Sequence, residues 1–398
     1  MSAPTPSHDL AAEVLQQATE RVEDIHLEHV KTWKLEHPGR LAVGHLPIYI
    51  PRPLIEALGA LPVAVFGGGD QVDIIRGDSY FQSYICHIPR SVIELGLARH
   101  YDVLDAMLFP SICDVVRNLG GMWKILFPKV YATYLDLPQN FDTAIGGKFY
   151  RLELERIATE LTARGALPLE EDRLRQAIAD ENDRRVALHE LDELRRTAPW
   201  LVPASEAYVV ARAGSTMFAA EHAVLIRRYL KGARARDSRR YDNVRCILRG
   251  AFCEQPPLLL IRAIEKAGCD ILDDDFQLGL RMLGGSIELK KGETALDALV
   301  GGFLTGGCAT SSRYIGDDVK GRELVEDVHR LKADGVIFAA ASFCDPALLD
   351  QPMLETALNN ANIPYTAFKF SENAGQFQVI REQAGAFSDA VKLWGNEA

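Results

Sequence analysis

Asp105-Ala106-Met107-Leu108-Phe109, running on through Pro110-Ser111-Ile112-Cys113-Asp114, is the stretch that decides the fold. A short apolar run of this kind reads as a buried strand, and the acidic residue after Cys113 opens a predicted helix over 114–127. The same order returns in the second half of the chain. There Asp334-Gly335-Val336-Ile337-Phe338 leads to Ala341-Ser342-Phe343-Cys344-Asp345-Pro346 and a predicted helix over 347–360. Each unit is followed by another strand, Val130-Tyr131-Ala132-Thr133-Tyr134 in the first half and Pro364-Tyr365-Thr366-Ala367-Phe368 in the second. Upstream, predicted strands over 41–43 and 62–66 flank a helix introduced by Pro51 and Pro53. Strands over 244–248 and 269–272 likewise flank a helix over 255–267. Alternation at this spacing predicts parallel sheets covered by helices, and the paired motifs predict two weak copies of one unit. A thiol at a strand-to-helix turn then stands at the carboxyl edge of a sheet, where such folds bind ligands. Cys113 and Cys344 share that address, so a site using both lies in a cleft between the halves.

A chain of 398 residues exceeds one ordinary core. The expected fold class is α/β, with two Rossmann-like domains of short parallel sheets over 40–147 and 242–398. An N-terminal helical segment over 1–39 and a helical bridge over 148–241 complete the expected organisation. Helical spacing over 9–36 (Leu10, Val14, Ala18, Val22, Ile25, Val30) stops at His37-Pro38-Gly39. Two charge-rich helical stretches, 152–164 and 170–197, form the start of the bridge. Further helices are predicted over 320–332 and 376–393. The arginine-rich run 227–240 reads as a solvated linker, the alternative being contact with the phosphates of a nucleotide-bearing thioester.

Hydrophobic content of 47% and charged content of 25% are those of an ordinary globular protein. The net charge of −11 argues against a protein that wraps nucleic acid. The first residues are polar and carry no secretory pattern, and no long apolar run suggests a membrane span. A cytoplasmic location is expected, with the seven cysteines reduced and used as packing groups, metal ligands or nucleophiles. No phosphate-binding Gly-x-x-x-x-Gly-Lys-[Ser/Thr] occurs, and Gly67-Gly68-Gly69 reads as a turn, so no residue is assigned to nucleotide binding. Gly301-Gly302 to Gly306-Gly307 reads as a connection, with a mobile loop as the alternative.

The absence of a Cys-x-x-Cys pair speaks against zinc-ribbon, thioredoxin and ferredoxin sites. Cys246, Cys269 and Cys308 read as small buried packing groups. Cys253, at a strand-to-helix turn, is the candidate for a fourth ligand or accessory thiol. Cys86, in Ser83-Tyr84-Ile85-Cys86-His87-Ile88-Pro89-Arg90, joins Cys113 and Cys344 by its similar surroundings. Three such thiolates with no fourth suit an iron–sulfur cluster with one iron left open; packing is the other reading. The residues name no catalytic acid.

With those residues in view, the chain resembles the 2-hydroxyacyl-CoA dehydratase and benzoyl-CoA reductase family from about residue 40 onward. The resemblance is carried by Ser83-x-x-Cys86-x-x-x-Arg90, by Cys113-Asp114, by Asp334-Gly335-Val336-Ile337 leading to Phe343-Cys344-Asp345, and by Gly375-Gln376 with Ile380-Arg381-Glu382. Within the family it is most similar to the smaller cluster-bearing subunit of the ATP-dependent reductases. That likeness implies a 4Fe–4S cluster held by Cys86, Cys113 and Cys344 between the two domains. It implies an anaerobic heterotetramer with a paralogous cluster-bearing subunit and activator-like subunits that carry ATP and Mg and draw electrons from reduced ferredoxin. The implied oxidoreductase reaction, in aromatic compound degradation, reduces an acyl-CoA, benzoyl-CoA, to cyclohexa-1,5-diene-1-carbonyl-CoA. The alternatives are a 2-hydroxyacyl-CoA dehydratase subunit and a non-catalytic electron-relay or assembly subunit.

Overall fold

The structure, a computed structural model, describes residues 9–46, 48–250, 257–275, 284–306, 319–371 and 377–394. The first half holds strands β1 (Ala42–His45), β2 (Leu61–Ala64), β3 (Ala106–Pro110) and β4 (Tyr131–Leu135). The second holds β5 (Val244–Arg249), β6 (Cys269–Asp274), β7 (Gly335–Ala341) and β8 (Tyr365–Phe370). Both sets form a four-stranded parallel sheet, in the orders β2-β1-β3-β4 and β6-β5-β7-β8. The orders are identical when each half is counted from its own first strand. The pairing even continues in the same way past the strand ends. Ser111 N–H donates to Leu135 O at 3.0 Å, and Ser342 N–H to Phe370 O at 2.7 Å. The α/β class and the doubled sheet expected from the paired motifs are therefore what the chain adopts.

The N-terminal segment is two helices, α1 (Leu10–Val22) and α2 (Glu28–Glu36), rather than one. Leu27 turns into the left-handed region at φ 55°, and the Asp24 carboxylate accepts the Glu28 and His29 N–H groups to start the second helix. In the first half, α3 (Arg52–Ala57), α4 (His87–Leu97) and α5 (Asp114–Leu126) cover the sheet. The bridge consists of α6 (Lys148–Thr162), α7 (Glu171–Thr197), α8 (Ala204–Ala213) and α9 (Ala219–Arg234). The second half adds α10 (Leu258–Lys266), α11 (Ala295–Thr305), α12 (Arg322–Leu331), α13 (Asp345–Asn360) and α14 (Phe377–Trp394).

Three expectations need correction. The segment 87–97 is a helix, although Pro89 and Gly96 read as breakers; Pro89 sits in the first turn, where its missing N–H costs nothing. Gly301 and Gly302 lie inside α11, whose other residues are mostly buried Ala, Leu, Val and Phe. The arginine run is not a solvated linker as far as Arg234, because α9 continues to that residue. Arg227 pairs with Asp183 at 2.6 Å and Arg228 with Glu13 at 2.9 Å, so these charges hold α9 to α7 and α1.

A single contiguous apolar core runs from α1 through the bridge into both sheets, and a smaller one lies between the second sheet and α12 and α13. The bridge is clasped from both sides by the same device. Glu56 of α3 accepts the N–H of Ala219, the first residue of α9, at 3.2 Å. Glu265 of α10 accepts the N–H of Ser205, in the first turn of α8, at 2.9 Å. A carboxylate at a helix N-terminus satisfies an orphan donor and meets the positive end of the helix dipole. Gly232 lets α1 lie against α9: a Cβ there would stand 2.3 Å from the backbone nitrogen of Ala11.

Candidate functional site

Each of the three singled-out cysteines occupies the residue immediately before a helix: Cys86 before α4, Cys113 before α5 and Cys344 before α13. The first N–H groups of a helix have no intrahelical partner and carry partial positive charge, so a thiol placed there is favoured as thiolate. Burial nevertheless pushes the Cys113 thiol up. The Val116 and Val115 N–H groups oppose that shift, while the charges of Cys344 and Asp114 add to it. Cys113 and Cys344, from equivalent turns of the two sheets, thus lie within electrostatic reach of each other. Cys344 is buried, and Cys113 and Cys86 are half-buried.

The two turns share the local sequence Ser-x-Cys-Asp, Ser111 to Asp114 and Ser342 to Asp345. They differ at the second position. Ile112 is buried, whereas Phe343 is 50% exposed and sits in the left-handed region at φ 65°. An aromatic residue held there is strained by about 1–2 kcal/mol.

Cys86 arrives by another route, at the end of a long loop after β2. Side chains of the helix that Cys86 precedes pin this loop down. The Glu94 carboxylate accepts the N–H groups of Ile75, Arg76 and Gly77 at 3.0, 2.6 and 2.8 Å. Burial would raise the Glu94 pKa, but those three N–H groups and the Arg76 side chain hold it below the usual carboxylate range. Ser91 Oγ accepts from Gly68 N–H at 2.7 Å, and Arg90 donates to Asp78 at 2.9 Å. Gly77 is required by space, since a Cβ would stand 2.2 Å from the Arg90 carbonyl oxygen.

Among the described residues no three His, Cys, Asp or Glu side chains are gathered tightly enough for a single metal ion. A cubane places its ligands on separate irons, so its sulfurs stand farther apart than donors around one ion. The donor chemistry fits such a group: soft thiol ligands, each at a positively polarised helix start. Cys246 and Cys269 are fully buried on β5 and β6. A hydrogen bond with Cys269 and then burial push the Cys246 thiol well up, as packing groups require. Cys253 and Cys308 lie outside the described residues, as do Gly375 and Gln376.

A buried ionic cluster at the carboxyl edge of the second sheet escaped the sequence reading. Asp273, on β6, accepts from Arg196 at 2.8 Å and Arg249 at 2.9 Å, and Arg195 pairs with Asp274. Arg249 also reaches Asp327 at 3.2 Å. The partners come from β5, β6, α7 and α12, and no local pattern announces such a pairing.

Two like-ordered parallel sheets, with thiols paired at equivalent strand-to-helix turns, define a doubled α/β protein. The pattern of the 2-hydroxyglutaryl-CoA dehydratase D-component family matches residues 47–391, and the chain belongs to that family. The gamma-type (C) subunit of benzoyl-CoA reductase from Thauera aromatica is 42% identical over 384 residues, covering 96% of this chain and 99% of that one. The (R)-phenyllactyl-CoA dehydratase beta subunit of Clostridium sporogenes is 24% identical, covering 90% of this chain and 93% of that one. The (R)-2-hydroxyglutaryl-CoA dehydratase beta subunit of Acidaminococcus fermentans is also 24% identical, covering 90% and 94%. Among the described residues no helix is long and apolar enough to cross a membrane.

Proposed function

We propose that this chain is the iron–sulfur gamma subunit of a ferredoxin-linked, ATP-dependent benzoyl-CoA reductase. The observation that carries this reading is the gap between 42% identity to a reductase subunit and 24% to dehydratase subunits at similar coverage. Cys86, Cys113 and Cys344 would hold a 4Fe–4S cluster, which when bound would supply single electrons at a low potential. The residues of this chain would prepare the place for it. The starts of α4, α5 and α13 favour deprotonated sulfur at three points. Glu94 fixes the loop that delivers Cys86, and the common core fixes the other two turns.

The partners in this reading are a paralogous cluster-bearing subunit, reduced ferredoxin and activator-like subunits that bind ATP and Mg. The substrate is benzoyl-CoA, reduced to the cyclohexadiene carbonyl-CoA in an anaerobic cytoplasm. The family pattern, which describes a dehydratase component, favours a second reading as a 2-hydroxyacyl-CoA dehydratase subunit. Turnover by the complete complex of benzoyl-CoA against a 2-hydroxyacyl-CoA separates the two readings. Iron and acid-labile sulfide after anaerobic purification test the ligands. Cys86→Ser, Cys113→Ser and Cys344→Ser should each lose most of both, while Cys246→Ser keeps them. Equal iron in all four proteins would refute the assignment.

A further inference from the structure

A cleft of about 490 Å³ lies along one stripe of α7, closed by Arg234 at the end of α9 and by residues 285–286 ahead of α11. It has no part in the cluster reading and does not rest on it. Val186 and Leu194 supply apolar surface, and Arg185, Glu190, Glu193 and Arg234 supply charge. The Arg185 side chain is only 8% exposed. Its Nε donates to Glu181 at 2.9 Å and its Nη1 to the Gly285 carbonyl at 3.0 Å, while its buried Nη2 has no acceptor. Arg234 stands 4.0 Å from Glu190, too far for a hydrogen bond.

Behind the cleft the charge is out of balance. Arg52, Arg184 and Arg185 face only Glu181 and Glu56 across the contact of α3 with α7. Each of the three guanidiniums keeps one buried N–H group without an acceptor: Arg52 Nε, Arg184 Nη1 and Arg185 Nη2. Glu181 already accepts from Arg184 at two positions and from Arg185 at a third. His222, buried among these groups, is held neutral by burial and by the Arg184 charge, which bring its pKa down to about 3. A buried donor left unmatched costs about 1–3 kcal/mol, so the network is short of one acceptor-bearing anion.

We propose that the cleft is a binding site for a small carboxylic acid with an apolar body. The carboxylate is taken by Arg185 and Arg234, and the body lies on Val186 and Leu194. The flanking Glu190 and Glu193 repel a polyanion, which selects a ligand with a single negative charge and excludes the phosphates of a CoA thioester.

Titration calorimetry on the full chain with benzoate, hexanoate, benzamide and inorganic phosphate tests the proposal. At least one of the two acids should bind below about 1 mM. Benzamide, which keeps the ring and loses the charge, should bind at least about tenfold more weakly than benzoate, and phosphate no better than benzamide. Arg185→Met should abolish binding. Val186→Trp changes a half-exposed position, leaves the ionic network intact and fills the cleft, so it should abolish binding even if Arg185→Met fails to fold. No binding by either acid, equal binding of benzamide or phosphate, or undiminished binding in Val186→Trp would each overturn it.

Discussion

The two sheets invite a strand-by-strand comparison. They share an order, a Ser-x-Cys-Asp turn after the third strand, and a glutamate on the helix following the first strand that clasps the bridge. They differ at the carboxyl edges of their first two strands. The first sheet ends in His45, Leu46 and Val65, all buried, with His45 kept neutral by burial and its pKa brought down to about 3. The second ends in Arg249, Asp273 and Asp274, locked to Arg195 and Arg196 of the bridge. What both copies keep is what meets the thiol-bearing turns or the bridge. What differs is how each edge is closed, apolar in one half and ionic in the other.

The largest effect should come from breaking the ionic edge. Asp273→Ala leaves Arg249 and Arg196 without their main acceptor, and urea unfolding should show a loss of about 3–5 kcal/mol. A loss under about 1 kcal/mol would mean that the edge behaves as a solvated surface and the contrast between the halves is false.

Next come the two clasps, which should share a sign. Burial raises both the Glu56 and the Glu265 carboxyl, Glu56 to about 7 from an ordinary 4.5. A raised carboxyl adds stability below its unfolded pKa, and that contribution is lost as pH rises through the folded value. Wild type should therefore lose up to about 3 kcal/mol between about pH 5 and pH 8 that Glu56→Gln retains. An identical pH profile for Glu56→Gln would show that the clasp is not titrating.

The smallest effects should separate the two turns. Ile112→Ala should cost about 2 kcal/mol by emptying a buried position. Phe343→Gly should instead gain up to about 1 kcal/mol by relieving the left-handed backbone at a half-exposed site. Thermal melts of the pair check this, and losses of equal size would make the turns equivalent in packing as well as in sequence.

Much of this architecture was legible because it is written locally. Runs such as Ala106 to Phe109 and Val336 to Phe338 are apolar, short and followed by an acidic helix start, and each became a central strand. The addresses of Cys113 and Cys344 followed from those runs. Helix α4 stayed hidden because Pro89 and Gly96 carry opposite meanings at a helix start and in a helix interior. Helix α11 stayed hidden because residues apolar on every side show no stripe. The Asp273 cluster and the Arg185 cleft depend on partners far apart in sequence, and each residue alone reads as ordinary surface charge. The anchoring of Cys86 by Glu94 is local in sequence but depends on a loop whose path no periodicity describes.

The passage of α1 across α8 and α9 has a consequence for synthesis on the ribosome. The buried face of α1, with Ala11, Val14 and Ala18, is covered by residues that lie beyond position 200. At usual elongation rates those residues emerge on the order of 10–40 s after α1 does. Throughout that interval the nascent first sheet must carry an amphipathic helix with nowhere to dock. The growing chain is therefore most exposed to chaperones, and to wrong partners, before the bridge has been made.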